Sequence, residues 1–299
     1  MSVNTIALAK RYIPYVDAAY SQEALTSFLE RYNGIIKDSL NGVNKVLVPK
    51  YSMTGFGSYS RAGGETTVSP FGYTEGNVEL EYEEVSYDVE RSASFNVDRY
   101  NNEESLNVLW PSMLREFIRM NAAPEIDSAR VSKLAQTAIT AGNYGSSALT
   151  TGAEVVAAIR AGVNHMQNAS VSSEWFILMR PEIKGMLDDM NSYESKAVLA
   201  NFAETHVLPS SRMNSAITLN TGAGGQYGYV VADGSLPVAF LIVAGDCQVT
   251  AVRTHIKAWT PDENQLGDSY RLNIRTMYLL PRVFDNKKDG VWVHTIPSV

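Results

Sequence analysis

Cysteine is nearly missing from this sequence: Cys247 is the only one in 299 residues. That excludes intramolecular disulfides and thiolate metal clusters, and suits a chain made in a reducing cytoplasm. Cys247 follows an apolar run and reads as a small buried residue rather than a reactive thiol. Histidine is also scarce, at 165, 206, 255 and 294, with no close pair that could place two imidazoles on one metal. No Gly-Lys dipeptide occurs, so there is no Walker A loop, and no serine carries the GxSxG flanks of a nucleophile elbow. Positive charge is in deficit: 25 Lys and Arg stand against 32 Asp and Glu, a net charge of -7. Proteins built to grip phosphate run the other way, although a local basic face stays possible. No run approaches the roughly 18 to 20 apolar residues that span a bilayer. The opening MSVNTIALAKRYIPYVDAAY has no basic, apolar and small-residue succession of a secretory signal, so a soluble product with no membrane partner is expected.

What is present is ordinary globular material, 45% hydrophobic and 19% charged, enough for a sizeable core. The first 40 or so residues mix Ile6, Leu8, Ile13, Val16 and Tyr20 with Lys10, Arg11 and Asp17, interrupted by Pro14. They read as an arm with short helical pieces, ordered by contact with something else. From Lys45 the period becomes two, through Val46, Val48, Tyr51 and Met53. Six glycines then fall between Gly55 and Gly76, after which Val78, Leu80 and Tyr82 alternate with Glu79, Glu81 and Glu83. This predicts a β-hairpin with a long glycine-rich tip, continuing as extended chain through Val89 to Val97. A two-stranded hairpin is barely stable alone in water, so it needs a body or a partner to lie on.

Helical spacing follows. Leu106, Leu109, Trp110, Met113, Leu114, Phe117 and Ile118 share one face, and the pattern runs on through Ile126, Val131 and Leu134 with a kink expected near Pro124. After AGNYGSSALTTG, the pair Thr151 and Glu154 is spaced as a capping box ahead of Val155, Val156, Ile159, Val163 and Met166. Trp175–Met179 and Val238–Val243 are unbroken apolar runs suited to strands covered on both faces, and Pro181 opens a short helix through Leu187. Tyr270, Leu272, Ile274, Thr276 and Tyr278 alternate, and a turn from Asn286 to Gly290 is expected to return the chain as Val291–Val293. The class is α+β.

Three stretches imitate chemical motifs. Gly222–Gly228 is one residue short of GxGxxG, with Tyr227 in place of the third glycine and no strand-to-helix setting, and reads as a mobile loop. Asp285–Gly290 hints at a calcium loop, but Lys287 holds a ligand position and Ile296 stands where the bidentate glutamate belongs. Of the cluster Glu79, Glu81, Glu83 and Glu84, the first three alternate along one strand face, as a solvated face or one matched to a basic partner does. No catalytic, cofactor or metal site is expected.

The order of these parts resembles the HK97-fold major capsid proteins of tailed bacteriophages. IALAKRYIPYVDAAY is similar to that family's arm, KVLVPKYSMTGFGSYSRAGG to the outgoing strand of its extended loop, and RSASFNVDRYNNEES to the return into the spine helix. REFIRMNAAPEIDSARVSKLA resembles the spine helix with its internal proline, and HVLPSSRM and VFDNKKDGVWVH are also family-like. The tip ETTVSPFGYTEG departs from the family in being longer.

The resemblance implies an arm at 1–45, an extended loop and its return at 46–100, a spine helix of the peripheral domain at 101–144, an axial domain at 145–253, and C-terminal strands completing the peripheral domain at 254–299. It implies a shell subunit forming hexamers and pentamers of an icosahedral virion around double-stranded DNA, assembled in the host cytoplasm. Tyr59, Arg61, Phe71, Tyr73, Glu79 and Glu81 are the implied contacts with a neighbouring copy. Portal and decoration proteins are further implied partners. Only about 45 residues precede the loop, so a separate scaffolding protein is expected, and no loop-to-neighbour cross-link. The alternatives are an encapsulin-like compartment shell or an enzyme without local motifs.

Overall fold

The computed structural model describes residues 24–32, 37–38, 45–59, 73–74, 76–100, 115–190, 192–264 and 267–297. The chain divides into two compact units, Gly34–Tyr87 on its own and Met1–Asn33 together with Asp88–Val299.

In the small unit, β1 (Lys37–Asp38), β2 (Lys45–Met53) and β3 (Val78–Ser86) form an antiparallel sheet in that order. The hairpin expected from the alternating pattern is present, with Met53 opposite Val78, Tyr51 opposite Leu80 and Lys45 opposite Ser86. The continuous extended run expected from Val78 to Val97 is instead broken at Tyr87–Asp88, where β4 (Val89–Asp98) begins and joins a different sheet. Asp88 Oδ2 fixes that break by accepting from the Leu280 backbone N–H at 3.0 Å.

The large unit starts with a 3-10 turn at Ser27–Tyr32. Ala24, Phe28 and Leu29 are buried, and Phe28 and Leu29 belong to the main core. Within the stretch read as an arm, Phe28 and Leu29 thus pack into the main core. The expected helix at 101–114 lies outside the described residues. Helix is present from Arg115, widens into a π-turn at Ile118–Ala122, and continues as α1 (Ala123–Ala141). Pro124 lacks an amide donor and its ring crowds the carbonyl four residues back. The wider turn, in which Ala123 N–H reaches Ile118 O, is how the helix absorbs it. Gly142 ends the helix with φ 84°, a left-handed cap that suits glycine.

Beyond it come β5 (Tyr144–Ser146), α2 (Gly152–Asn168), β6 (Trp175–Met179), α3 (Pro181–Met190), α4 (Tyr193–Leu199) and β7 (Glu204–Val207). Then follow β8 (Ile217–Leu219), β9 (Tyr229–Val231), β10 (Val238–Ala244), β11 (Gln248–Trp259), β12 (Ser269–Val283) and β13 (Val291–Thr295).

A mixed sheet of order β5-β13-β10-β6-β7 carries the core. β10, at its centre, is buried at every position, which is why its sequence is an unbroken apolar run. α1, α2 and α3 supply the rest of that core through Leu134, Ile159, Met166 and Leu187. The capping box is complete, with Thr151 Oγ1 accepting from Glu154 N–H and Glu154 accepting from Thr151 N–H at 3.0 Å. Thr151→Ala should lower stability by about 1 kcal/mol, read as a drop in the calorimetric melting temperature.

The second sheet has the order β11-β12-β4, with β12 paired along nearly its whole length on both sides. Its inner face, including Val97, Ile256, Leu272 and Ile274, packs with Phe117 and Ile118. The expected hairpin between β12 and β13 is not formed. Asp285–Gly290 is a 3-10 turn that carries the chain out of one sheet and into the other, where β13 pairs with β10 and β5. Gly222–Gly228, expected to be mobile, forms the β8–β9 connection with internal bonds Gly222 N–H to Gln226 O and Asn220 N–H to Gly228 O. Arg91 holds it by donating to Asn220 O at 2.6 Å while its guanidinium grips Glu125.

Candidate assembly surface

Alternation places Val78, Leu80 and Tyr82 on one face of β3 and Glu79 and Glu81 on the other, and all five are exposed. The apolar three are 71%, 47% and 50% exposed, in a segment where large side chains ordinarily find cover. Met53 and Phe56 beyond them are also exposed, and Val85 is the only buried hydrophobic residue among the described side chains of the small unit. Among its described side chains the unit thus has strands and register but only Val85 buried.

Toward the tip, Thr54 N–H donates to Asn77 O at 3.1 Å and Asn77 N–H to Thr54 Oγ1 at 2.8 Å, extending the ladder past the last strand pair. Thr74 lies so near Gly57 that a Cβ there would stand 2.3 Å from its hydroxyl, so only glycine fits. Tyr59 and Tyr73 meet edge to face with centroids 5.1 Å apart, both well exposed. Of the six residues expected to make contacts, the structure brings Tyr59 and Tyr73 together and puts Glu79 and Glu81 along one strand. Arg61 and Phe71 lie outside the described residues.

The groups that could carry chemistry are dispersed. Among the described residues no three His, Cys, Asp or Glu side chains gather as a metal would require. His206 is stacked on Phe28 with centroids 4.1 Å apart, and His294 on Phe240 at 5.2 Å. Burial holds both imidazoles below their ordinary pKa. The unfolded chain therefore binds more protons than the native chain below about pH 6.5, and stability falls as pH drops through that value toward the folded pKa. The melting temperature of the unassembled chain should be lower at pH 5.5 than at pH 7.5, and His294→Phe should flatten part of that dependence. Burial pushes the Cys247 thiol up to about 12, with Gly290 O accepting its S–H at 3.5 Å. The native protein should resist iodoacetamide at pH 8 and react only once unfolded, measured by mass spectrometry.

The polar feature of the large unit is a groove of about 540 Å³ on the outer face of the β11-β12-β4 sheet, lined by Ser92, Ser94, His255, Lys257, Asn273 and Arg275 among others. Ser94 Oγ bonds Asn273 Oδ1 at 2.7 Å, and Arg275 is paired with Glu90. No nucleophile, base and orienting acid are aligned in it.

No protein-family model and no curated protein sequence matches the chain. Solved structures do. It is similar to the asymmetric unit of the bacteriophage PhiM1 mature capsid, with a TM-score of 0.57 and 13% identity over 90% of this chain and 87% of that one. It is similar to the capsid structure of the cyanophage P-SCSP1u, with a TM-score of 0.58 and 11% identity over 87% and 86%. A virus-like particle from Pyrococcus furiosus matches with a TM-score of 0.51 and 8% identity over 93% and 95%. At these identities the likeness is one of fold, and it extends over most of both chains.

Proposed function

We propose that this chain, which has the fold of phage capsid proteins, is a major capsid protein whose copies assemble into a shell. The observation that carries the reading is the hairpin of the small unit: paired strands on which Val78, Leu80 and Tyr82 stay 71%, 47% and 50% exposed. An exposed apolar strand face is a liability unless another molecule covers it. In a closed shell of identical copies, each hairpin finds that cover on a neighbour.

On this reading residues 46–100 are the extended loop and its return, 101–144 the spine helix, and 145–253 an axial domain to whose sheet β13 adds a strand. The strands after 254 otherwise complete a peripheral domain, and 1–45 is the arm. Copies group as hexamers and pentamers of an icosahedral head around double-stranded DNA, with a separate scaffolding protein, a portal and decoration proteins as partners. The role is structural and needs no catalytic residue.

Negative-stain microscopy with light scattering of the purified protein, with scaffold supplied where needed, tests this. Uniform shells or capsomer rings are expected, and persistent monomers under all assembly conditions would overturn it. Shells that hold a protein cargo in place of DNA would move the reading to a compartment shell.

A further inference from the structure

Residues 24–32 are held as a strap by two unlike anchors. The first is on α1, where Asp127 accepts from Leu25 N–H and Thr26 N–H and Arg130 donates to Thr26 O. It contains no histidine. The second is on β7, an edge strand of the five-stranded sheet. There the Phe28 ring lies flat on the His206 imidazole, with centroids 4.1 Å and planes 5° apart, and Phe28 also meets Phe176 of β6 at 5.0 Å. Arg31 donates to Glu204 Oε1 at 2.5 Å, and Glu204 Oε2 stands 3.1 Å from His206 Nε2. Between the anchors, Gln248 Nε2 of β11 donates to Leu29 O at 2.9 Å. The strap therefore closes at one end over a group that gains a proton in the mildly acidic range.

Among the described residues the charged groups that face the imidazole are Glu204 on its own strand and Arg31 on the strap, while β6 presents the apolar Phe176. A neutral ring can be covered by Phe28 without desolvating a charge. In the charged ring, Glu204 and a cation–π contact with Phe28 are favourable, whereas burial and Arg31 are not. Burial dominates, and holds the imidazole below its ordinary pKa. We propose that residues 24–32 form a pH-operated clasp, in which protonation of His206 releases the Phe28–Tyr32 end from β7 while the Leu25–Thr26 end stays on α1. In the released strap His206 titrates near its ordinary value of about 6.5. The released state therefore binds more protons below that pH, and closure weakens as pH falls from it toward the closed-state pKa. Glu204 acts in the same direction at lower pH: Arg31 holds its carboxyl below the ordinary value, so that pair weakens only below the range in which histidine titrates. The small unit begins at Gly34, so release adds the Phe28–Tyr32 end to its tether.

Amide hydrogen exchange of the full-length unassembled chain, read by mass spectrometry and corrected for the intrinsic pH dependence of exchange, tests this. Leu29 N–H, bonded to Thr26 O at 3.2 Å, is among the amides that report on the strap. Between pH 7.5 and pH 5.5 the protection of a peptide covering Phe28–Tyr32 should fall about fivefold. β10, buried at every position, should keep its protection over the same range. His206→Phe keeps a ring for Phe28 and cannot titrate, so its strap should be equally protected at the two pH values. If that variant loses β10 protection at pH 7.5, His206→Gln takes its place, again with strap protection that does not change with pH. Equal protection of the wild-type strap at both pH values would overturn the proposal. So would an acid loss in the folded His206 variant as large as that of wild type, or a loss in β10 as large as that in the strap, which would mean opening of the whole unit.

Discussion

Replacing Leu80 and Tyr82 together by aspartate should abolish shell formation and leave the chain folded. In the single chain both side chains are about half exposed, so the substitutions remove only part of a side chain's packing at each position. In the assembled state each loses about 1.5–3 kcal/mol of apolar burial and adds the cost of desolvating a carboxylate. A shell repeats that loss at every copy, so an interface weakened by a few kcal/mol fails entirely. Size-exclusion chromatography with light scattering should show only small species, with the far-ultraviolet spectrum and melting temperature of the unassembled wild type. Loss of the fold would mean that the hairpin is covered by its own chain. Normal shells would mean that its apolar face bears no assembly load.

The second large effect is on stability. Asp127 on α1 is fully buried and accepts four bonds, from Leu25 N–H at 3.2 Å, Thr26 N–H at 3.1 Å, Thr26 Oγ1 at 2.6 Å and Arg212 at 2.9 Å. Arg130, one turn on and also fully buried, donates to Thr26 O at 3.1 Å and pairs with Glu30. Together they fasten residues 25–30 onto the helix. Asp127→Ala leaves the Arg212 guanidinium without that anion and two backbone donors unmatched, so it should cost about 3–5 kcal/mol. Asp127→Asn, which keeps an acceptor, should cost less. Urea unfolding of the unassembled chain measures both. A midpoint within error of wild type for the alanine variant would mean that this network contributes nothing net.

This cluster also marks where the sequence misleads. Asp127 and Arg130 stand three apart on a helix, which ordinarily describes an ion pair in water. Their burial depends on Thr26 and Arg212, roughly a hundred residues away in either direction, and no local pattern contains that. The same applies to β13. Its apolar run was legible, but its choice of β10 over the adjacent β12 is a long-range pairing that a turn-like sequence at Asp285–Gly290 disguises. The short edge strand β5, inside a Gly/Ser-rich connection, gave no periodic signal at all.

What was legible had a local cause. β6 and β10 are unbroken apolar because both faces are covered, and the Thr151 and Glu154 capping box is satisfied by residues three apart. On the candidate surface, alternation in β3 sorted apolar from acidic residues correctly. What it could not reveal is that Val78, Glu79, Leu80, Glu81 and Tyr82 are all exposed, nor that Arg253, Lys257, Arg271 and Arg275 share one face across two strands whose register is set only by folding. The basic face was open as a possibility under a net negative charge, and the signal that could have found it is the alternation of Arg253, His255 and Lys257 within one strand.

The central claim is that the hairpin is completed by another copy. The most direct measurement is a cryo-electron microscopy map of the assembled shell, at a resolution that traces side chains. The expected result is density for Val78–Ser86 lying across a neighbouring copy with Val78, Leu80 and Tyr82 covered. A hairpin folded back onto its own chain, or standing free in solvent within a well-formed shell, would contradict it.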